Sequence, residues 1–253
     1  MAAASVTMAH AASPSVDVFT VRTDHVGADV VAALSTQLTD EELARGARFV
    51  RAVDRATFVI ARALVRATLS AYGPTAPRDW RFETNSHGCP FVVAAQAGTP
   101  RLTFNLSHTA GLVALAVTRG RLVGVDVEGV GRVVREDVAG RFFAPTEVRD
   151  LRALPADVQP RAFFEYWTLK EAYIKARGMG LAIPLADFAF TLAPPAAPTI
   201  QFVDGFDDRP ERWQFWQAWP TAEHRLSLAV TREDLDHDVA VTLTESAAES
   251  LLA

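Results

Sequence analysis

Two carboxylates near the middle of the chain have the spacing of a metal site. The run Leu122–Glu128 predicts a β-strand whose valines face one side while Asp126 and Glu128 face the other, because side chains alternate along a strand. Their backbone positions would be roughly 6–7 Å apart, and like charges this close need a cation or a basic group between them. Hard oxygen ligands with no His or Cys nearby favour Mg²⁺, or Mn²⁺, over zinc. Two solvated acids at the end of a strand are the alternative interpretation.

The lysines of the chain are a second candidate. The 25 basic side chains include only two lysines, Lys170 and Lys175, and both fall in one segment. In a helix, Trp167, Glu171 and Lys175 share one stripe at positions i, i+4 and i+8. Because a flexible ammonium group with a tunable pKa differs from a rigid guanidinium, these two lysines suggest a chemical role. A surface Glu–Lys pair, worth a few tenths of a kcal/mol, is the alternative.

The polar run Asn105–Thr109 lies at the end of a predicted strand, Leu102–Leu106, and suits phosphate binding. Ser107 and His108 could both hydrogen-bond to a phosphate oxygen. A nucleophilic serine–histidine pair is a poor interpretation, because adjacent residues rarely reach each other in catalytic geometry and no Gly-x-Ser-x-Gly motif is present. Capping is the alternative role of this run.

Arginines near the N-terminal third would form a basic stripe if one helix were continuous there. At 100° per residue they fall within an arc of roughly 120°. Binding of a polyphosphate would explain this bias, and a solvated helix surface would explain part of it. A nucleotide would not be held by a glycine-rich loop, since neither phosphate-loop motif occurs. The stripe comprises Arg45, Arg48, Arg51, Arg55, Arg62 and Arg66.

These side chains require elements to position them, and helices followed by a β-rich stretch are predicted twice. A strand at Val16–Arg22 precedes a helical region at Leu34–Ala71, which contains the cap-like Thr39–Glu42. In the second occurrence, Pro160–Arg177 is a predicted helix closed by glycines, and β-like runs follow it. A helical signal also falls on Val133–Phe143.

A faint internal repeat favours duplication over chance. The run Leu115–Arg119 (LAVTR) recurs as Leu228–Arg232, 113 residues later. The helical Arg62–Ala67 loosely matches Glu171–Ala176 at an offset of 109.

We therefore predict an α+β fold of two similar halves. The predicted boundaries are a flexible tail at residues 1–15, an N-terminal half at 16–120 and a C-terminal half at 121–253 that carries the metal site. A cleft between halves is a common place for a ligand.

Composition narrows the class of protein. The 253 residues carry a formal charge of −5 and are 49% hydrophobic, which is typical of a globular chain with no global attraction to nucleic acid. A single cysteine, Cys89, forms no internal disulfide and no Cys-based zinc site, as expected in a reducing cytoplasm. Met1–Ser15 lacks the parts of a signal peptide, and the apolar runs are far shorter than the ~20 residues that span a bilayer. We expect a cytoplasmic monomer with no membrane partner.

Taken together, the residues describe a metal-assisted site for a phosphorylated ligand. Their motifs also resemble those of the 4′-phosphopantetheinyl transferases of the surfactin-synthetase-activator type. The resemblance spans roughly residues 38–192 and includes the upstream Phe104–Thr109 and Arg48-Phe49. The motifs that carry it are Gly124–Glu128 (GVDVE), Phe142–Glu147 (FFAPTE) and Trp167–Lys175 (WTLKEAYIK) with Gly178–Leu181.

This resemblance implies two similar α+β halves in a pseudo-twofold arrangement, and it implies a reaction. The phosphopantetheine arm of coenzyme A (CoA) would move to a serine hydroxyl of an apo acyl or peptidyl carrier protein, releasing adenosine 3′,5′-bisphosphate. Carriers of nonribosomal peptide, polyketide and fatty acid synthesis are all candidates, and the sequence does not choose among them.

The resemblance also implies roles for individual residues. Asp126, Glu128 and Glu171 would hold Mg²⁺, which would bridge to the CoA pyrophosphate. Glu171 would be the base for the carrier serine, directly or through a metal-bound water, and Lys175 would stabilise or protonate the leaving group. Contacts to CoA would come from Lys170 at the pyrophosphate, from Ser107 and His108 at the nucleotide end, and from Arg45, with Arg48, Arg51 and Arg55 as weaker candidates.

One position departs from the family pattern. Where a Gly-Lys-Pro element is usual, this chain has Cys89 between Gly88 and Pro90, so a basic contact to CoA is missing. A non-catalytic CoA-binding module is therefore one alternative function. A Mg²⁺-dependent phosphohydrolase is another, although two-metal enzymes of that class normally use more carboxylates.

Overall fold

A computed structural model shows two main β-sheets, each with a 19-residue helix packed on it, and two smaller two-stranded sheets within the described residues. The structure describes residues 15–132, 137–235 and 237–252, so the predicted tail lies outside the described residues except for Ser15. The elements of the first part of the chain are β1 (Ser15–Arg22), α1 (Ala28–Ser35), α2 (Asp40–Gly46), α3 (Ala52–Ser70), β2 (Phe82–Thr84), β3 (Pro90–Val92), α4 (Ala94–Ala97), β4 (Leu102–Thr109) and β5 (Leu112–Arg119).

The rest of the chain repeats this pattern with one strand added at its end and no α-helix in the position of α4. Its elements are β6 (Val123–Gly129), α5 (Val138–Phe142), α6 (Pro145–Ala153), α7 (Gln159–Arg177), β7 (Phe188–Thr191), β8 (Thr199–Phe202), β9 (Trp213–Thr221), β10 (His224–Thr231) and β11 (Ala240–Ser246). The helical signal at Val133–Phe143 is realised in α5, and its first residues, 133–136, lie outside the described ones. Among the helices in the described ranges, none is long and apolar enough to cross a membrane.

Strand order in the two sheets confirms the predicted α+β fold of two similar halves. The first main sheet has the order β11-β1-β5-β4 and the second β6-β10-β9, and the two smaller sheets are β2-β3 and β7-β8. When β11 is left out, the two main sheets have the same strand order. In each half the first strand pairs with the last strand, and the last strand pairs with the one before it. The repeated LAVTR run falls on β5 and β10, the strands that lie between the other two in each case.

Three apolar cores hold these layers together. One core joins α1 and α3 to the first sheet, and a second joins α6 and α7 to the second sheet. The third lies between the sheets, where Val125 of β6 and Leu228 of β10 share a cluster with Val18 of β1. The two halves are therefore joined by buried apolar area, which is the dominant stabilising contribution in a folded chain.

A close approach of helix α7 to strand β6 brings the predicted site residues together. A Cβ atom at Gly124 would lie 2.1 Å from the carbonyl oxygen of Ala172 and 2.4 Å from the amide nitrogen of Ala176. Only glycine fits there without a shift of backbone. This contact seats α7 directly on β6, so Glu171 and Lys175 of the helix lie beside the acidic end of the strand.

The helical region predicted at Leu34–Ala71 is three helices rather than one or two. The cap at Thr39 is confirmed, because its hydroxyl accepts from the amide of Glu42 while the Glu42 carboxylate accepts from the amide of Thr39. However, α2 ends at Gly46 and α3 begins at Ala52. The arginine stripe is therefore not a single helix face, since its members lie on two helices and the link between them.

The C-terminal strand corrects the predicted extent of the second half. Strand β11 pairs with β1 in parallel, with Ser15 opposite Ala240 and Val21 opposite Ser246. The short turn Ala248–Leu252 then packs Leu251 into the core of the first half. The assignment of all residues from 121 to 253 to the second half is thus wrong at its end, because the last segment belongs to the first sheet.

Candidate active site

Asp126 lies at the centre of the site, on β6, and is 4% exposed. Its Oδ1 accepts hydrogen bonds from Lys175 Nζ at 2.6 Å and from Ser107 Oγ at 2.9 Å. Its Oδ2 is also buried, yet no donor within the described residues reaches it. A buried carboxylate oxygen without a partner is costly, so this atom fits a cation that would bind from the cleft.

Two further carboxylates border Asp126. Glu128 accepts from Arg132 at 3.0 Å and from Thr109 Oγ1 at 3.4 Å, and burial and the charge of Asp126 raise the pKa of Glu128. Burial, with the charges of Asp126 and Glu128, raises the pKa of Glu171 to about 7. The three acids thus share one desolvated region, and their oxygens are the ligands that Mg²⁺ and Mn²⁺ prefer.

These carboxylates do not already form a closed cage. Within the described ranges, no group of three acidic, His or Cys side chains is arranged as a metal site. One oxygen of Asp126 is taken by Lys175, and Glu128 is turned partly toward Arg132. The fit of the site to a cation therefore rests on the type of donor atom and on the unpartnered Asp126 oxygen.

Lys175 connects the two halves at the site. The predicted helical stripe is confirmed, because Trp167, Glu171 and Lys175 all lie on α7. The ammonium group donates to Ser107 Oγ at 3.0 Å and reaches the carbonyl oxygen of Val125 at 3.4 Å, in addition to Asp126. Ser107 belongs to the first half and Asp126 to the second, so Lys175 bonds to a side chain of each half.

Lys170 does not contact the site, and its predicted role at the pyrophosphate is wrong. Its side chain is 0% exposed, and Nζ pairs with Glu147 at 2.8 Å. The same Nζ donates to the carbonyl oxygens of Leu185 and Phe188, both at 2.7 Å. Lys170 points into the core of the second half because it lies about 100° from the stripe of Glu171 and Lys175.

Glu147, the partner of Lys170, was missed as a structural residue by the sequence analysis. It is 0% exposed and accepts from the amides of Ala144 and Phe190, both at 2.8 Å. Burial raises the pKa of Glu147 and lowers that of Lys170, while the ion pair and its hydrogen bonds oppose both shifts. The pair joins α6, α7 and β7 and supports the helix that carries the site.

Ser107 and His108 lie on β4, which extends to Thr109 and so includes the whole polar run. The capping alternative is wrong, since Ser107 bonds across to Asp126 and Lys175 instead of to a chain end. His108 is exposed and borders the same region. Partial desolvation of the ring and the charge of Lys175 lower the pKa of His108, while the charge of Asp54 at the start of α3 opposes this shift.

The arginines divide into two groups. Arg62 and Arg66 are ruled out as ligand contacts in the structure, because both pair with Glu42, at 2.5 and 2.8 Å, and Arg66 also donates to the carbonyl oxygen of Pro77. The others are exposed around the start of α3, on the side where Asp54 acts on His108. This group contains Arg45 on α2, Arg48 in the link, Arg51 at the N-cap and Arg55 on α3.

Cys89 lies where the first half meets the end of α7. The turn between β2 and β3 contacts Gly178, whose carbonyl oxygen accepts from Asn85 Nδ2 at 2.7 Å. A Cβ atom at Gly178 would lie 3.8 Å from Cys89 Sγ. Burial raises the pKa of this thiol, so position 89 presents a neutral group beside the C-terminal end of α7.

Family models match both halves. Residues 122–230 match a model described as the 4′-phosphopantetheinyl transferase superfamily. Residues 27–120 match a model described as the N-terminal part of 4′-phosphopantetheinyl transferase. The two matches meet between β5 and β6.

Individual proteins with the same designation are also similar. The chain is 36% identical over 169 residues to 4′-phosphopantetheinyl transferase HetI of Nostoc sp., covering 66% of this chain and 70% of that protein. It is 34% identical to a 4′-phosphopantetheinyl transferase of Bacillus subtilis, covering 63% and 69%. It is 30% identical to 4′-phosphopantetheinyl transferase Sfp of Bacillus subtilis strain 168, covering 66% and 72%.

Proposed function

The chain belongs to the 4′-phosphopantetheinyl transferase superfamily, and from this we propose how its site transfers the phosphopantetheine arm of CoA to a serine of an apo carrier protein. The observation that carries the proposal is the meeting of Asp126 and Glu128 on β6 with Glu171 and Lys175 on α7, beside Ser107 of the other half. The product would be a holo carrier and adenosine 3′,5′-bisphosphate.

Mg²⁺, or Mn²⁺ in its place, would be held by Asp126, Glu128 and Glu171. The unpartnered Oδ2 of Asp126 and the raised pKa values of the two glutamates support this assignment, because a cation would relieve the repulsion among three buried acids. When bound, the metal would neutralise negative charge on the CoA pyrophosphate.

Glu171 is the proposed base. A pKa of about 7 suits a group that must accept a proton near neutral pH. As the serine oxygen forms its bond to the phosphorus that carries the pantetheine arm, its proton would pass to Glu171. The bond between that phosphorus and the bridging oxygen of the nucleotide would break, leaving the electron pair on the departing phosphate.

Lys175 would face that developing charge. Its Nζ already lies among oxygen atoms at the cleft and is 27% exposed, so it can turn toward a departing phosphate and donate a hydrogen bond or a proton. Removal of this positive charge would also leave Asp126 with fewer donors. Lys175 is therefore assigned both to catalysis and to the contact with CoA.

The nucleotide end of CoA would lie on the first half. His108 and the exposed Arg45, Arg48 and Arg55 are the proposed phosphate contacts, since the arginines lie around the start of α3, where Asp54 acts on His108. The hydroxyl of Ser107 is hydrogen-bonded to Asp126 and Lys175. Ser107 would therefore position these two side chains, and it would also contact the ligand. We further propose a cytoplasmic monomer that acts on carrier proteins and not on nucleic acid or membranes, in line with its net charge of −5.

Incubation of the protein with CoA, Mg²⁺ and apo carrier proteins of several types tests this function. Intact-mass measurement should show a gain on the carrier equal to one phosphopantetheine arm, and omission of Mg²⁺ should abolish it. CoA breakdown without any carrier would indicate a phosphohydrolase. Tight CoA binding without turnover on any carrier would indicate a binding module and would overturn the proposal.

A further inference from the structure

Strands β4 and β6 are joined by side chains instead of by backbone pairing. Alternate residues of β4 project toward β6, and each accepts a hydrogen bond from a backbone amide of that strand. We call these three bonds the β4–β6 ladder: Val125 N to Asn105 Oδ1 at 2.9 Å, Val127 N to Ser107 Oγ at 3.3 Å, and Gly129 N to Thr109 Oγ1 at 3.4 Å.

The ladder fixes a parallel register between the sheets. Each partner on β6 lies 20 residues after its partner on β4, so the two strands advance together. The opposite edge of β6 is paired with β10 through the backbone. Along the β4 edge, these three amides would need water or another partner if the ladder were absent, because an unpaired buried amide is costly.

The spacing of the ladder matches that of the carboxylates. Asp126 and Glu128 lie between the three bonded amides, and the ladder side chains also touch them: Ser107 donates to Asp126 at 2.9 Å and Thr109 donates to Glu128 at 3.4 Å. Asn105 forms the shortest amide contact and is 6% exposed. It is the ladder member without a bond to a carboxylate.

We propose that Asn105 is a positioning residue that couples the two ligands of the site. This inference rests on the proposed function, in which the metal carboxylates all lie in the second half and the nucleotide contacts in the first. The β4–β6 ladder sets the distance and register between these groups. Asn105 thereby makes the binding of CoA and of the metal reinforce each other while touching neither.

Asn105→Leu removes the acceptor and keeps a side chain of similar size. Coupled sites commonly enhance each other by roughly 5–150-fold, and we expect Mg²⁺ to tighten CoA binding to the wild-type protein within this range. In N105L this enhancement should fall, because only the direct attraction between the metal and the CoA pyrophosphate would remain, while CoA affinity without metal changes little. Titration calorimetry with CoA, in the presence and absence of Mg²⁺, measures this enhancement factor directly.

In the transfer assay of N105L, kcat should fall by up to about 100-fold while KM for the carrier stays unchanged, because misplacement of reacting groups has this effect.

Thr103→Val is the matched control. Thr103 lies two residues before Asn105 on β4, and its hydroxyl donates to the carbonyl oxygen of Arg121, outside the acidic segment. T103V should lower the melting temperature to a similar extent but keep the Mg²⁺ enhancement. Equal enhancement in N105L and T103V, or a wild-type protein whose CoA binding ignores Mg²⁺, would overturn the proposal. Equal loss of CoA affinity with and without metal would also overturn it, since Asn105 would then contact CoA itself.

If N105L does not fold, Thr109 provides a second test at a less buried position, although its hydroxyl contacts Glu128 as well as the amide of Gly129. Thr109→Val removes the hydroxyl and should reduce the enhancement, whereas Thr109→Ser keeps it and should restore the wild-type value. No difference between these two variants would contradict the inference. Because the readout is a binding ratio, it remains decisive even if the wild-type protein binds CoA and fails to modify any carrier, which is the result that removes the proposed function.

Discussion

Lys175 Nζ lies 2.6 Å from one carboxylate oxygen of Asp126, while the other oxygen of the same carboxylate is buried and accepts no hydrogen bond from the described residues. The two oxygens of Asp126 therefore have different tasks. One is fixed by the ammonium group of Lys175, and the other would bind the proposed metal ion. This division would allow a lysine and a metal to share one carboxylate.

Asp126→Asn should weaken divalent-cation binding by more than about tenfold, since even indirect disturbance of a metal ligand costs that much. Free Mn²⁺ measured by electron paramagnetic resonance gives the affinity without reference to catalysis. Asp150→Asn, an exposed acid on α6, is the control and should bind Mn²⁺ like the wild type. If D126N bound Mn²⁺ with unchanged affinity, Asp126 on β6 would be excluded as a metal ligand.

Glu171→Gln should reduce kcat for transfer by about 10²–10⁴-fold, the usual contribution of a general base. The fold should survive, because the change removes a charge that burial and two neighbouring acids disfavour. Intact-mass measurement of the carrier reports transfer, and thermal unfolding reports the fold. Glu165→Gln, on the same helix, should remain active. An active E171Q enzyme would exclude Glu171 as the base.

Much of the site could be predicted because strand and helix periodicities are local. The two-residue period placed Asp126 with Glu128, and the helical period placed Glu171 with Lys175, as the structure confirms. The same periods do not say which sides of a helix are covered. Helix α7 is buried on most of its surface, so the prediction for Lys170 failed: its direction depends on Glu147, which comes from another helix.

Lys170→Met should cost about 3–5 kcal/mol of unfolding free energy, because it leaves the Glu147 carboxylate buried without its counter-charge. The double variant Lys170→Met, Glu147→Gln should lose less, since the remaining amide carries no charge. Urea denaturation of both variants measures the difference. A K170M protein with wild-type stability and weakened CoA binding would restore the role that the sequence first suggested.

Glu42→Gln should make stability less dependent on pH. Burial alone would raise the pKa of Glu42, but the hydrogen bond from Arg66 and the charge of Arg62 outweigh it and lower the pKa below its ordinary value of 4.5. Because the folded-state pKa of Glu42 is lowered, its ionised carboxylate stabilises the fold at neutral pH. This stabilisation is lost as the pH falls through the folded-state pKa.

Urea denaturation between pH 7 and pH 3 checks this sign. At pH 7 the free energy of unfolding of the wild type should exceed that of E42Q by about 3 kcal/mol, the scale expected for breaking a buried ion pair. This difference in unfolding free energy should narrow in acid. Glu41→Gln, an exposed neighbour, is the control and should follow the wild type. If the difference in unfolding free energy between the wild type and E42Q widened in acid, the lowered pKa of Glu42 would be contradicted.

Cys89→Lys should tighten CoA binding by up to about fivefold, the value of a partly exposed ion pair. The new ammonium group would lie near Gly178 at the end of α7, where the family pattern usually has a basic residue. Cys89→Met lengthens the side chain without charge and should show no gain. Because salt screens exposed charges, the gain should shrink as ionic strength rises. An equal gain in both variants would exclude an electrostatic origin.

Other parts of the structure depend on contacts far apart in the chain. In the helical region at Leu34–Ala71, α2 ends at Gly46, where an added Cβ atom would lie 3.2 Å from the ring of Phe58 on α3. Asn105 and Thr109 carry no local signal of their role, because their partners are 20 residues away on another strand. Sequence periodicity identifies which side chains share one face of a helix or strand. It does not show which faces of different elements contact each other.

The pairing of β11 with β1 also sets an order of events during synthesis. Strand β1 emerges from the ribosome first, yet its parallel partner is completed only at Ser246, after every other strand of both sheets. Domains usually fold as they emerge, N-terminal part first. Here the β1 edge of the first sheet stays unpaired until β11 has been synthesised, so the strand that precedes the others in the two sheets is the last to gain its second neighbour.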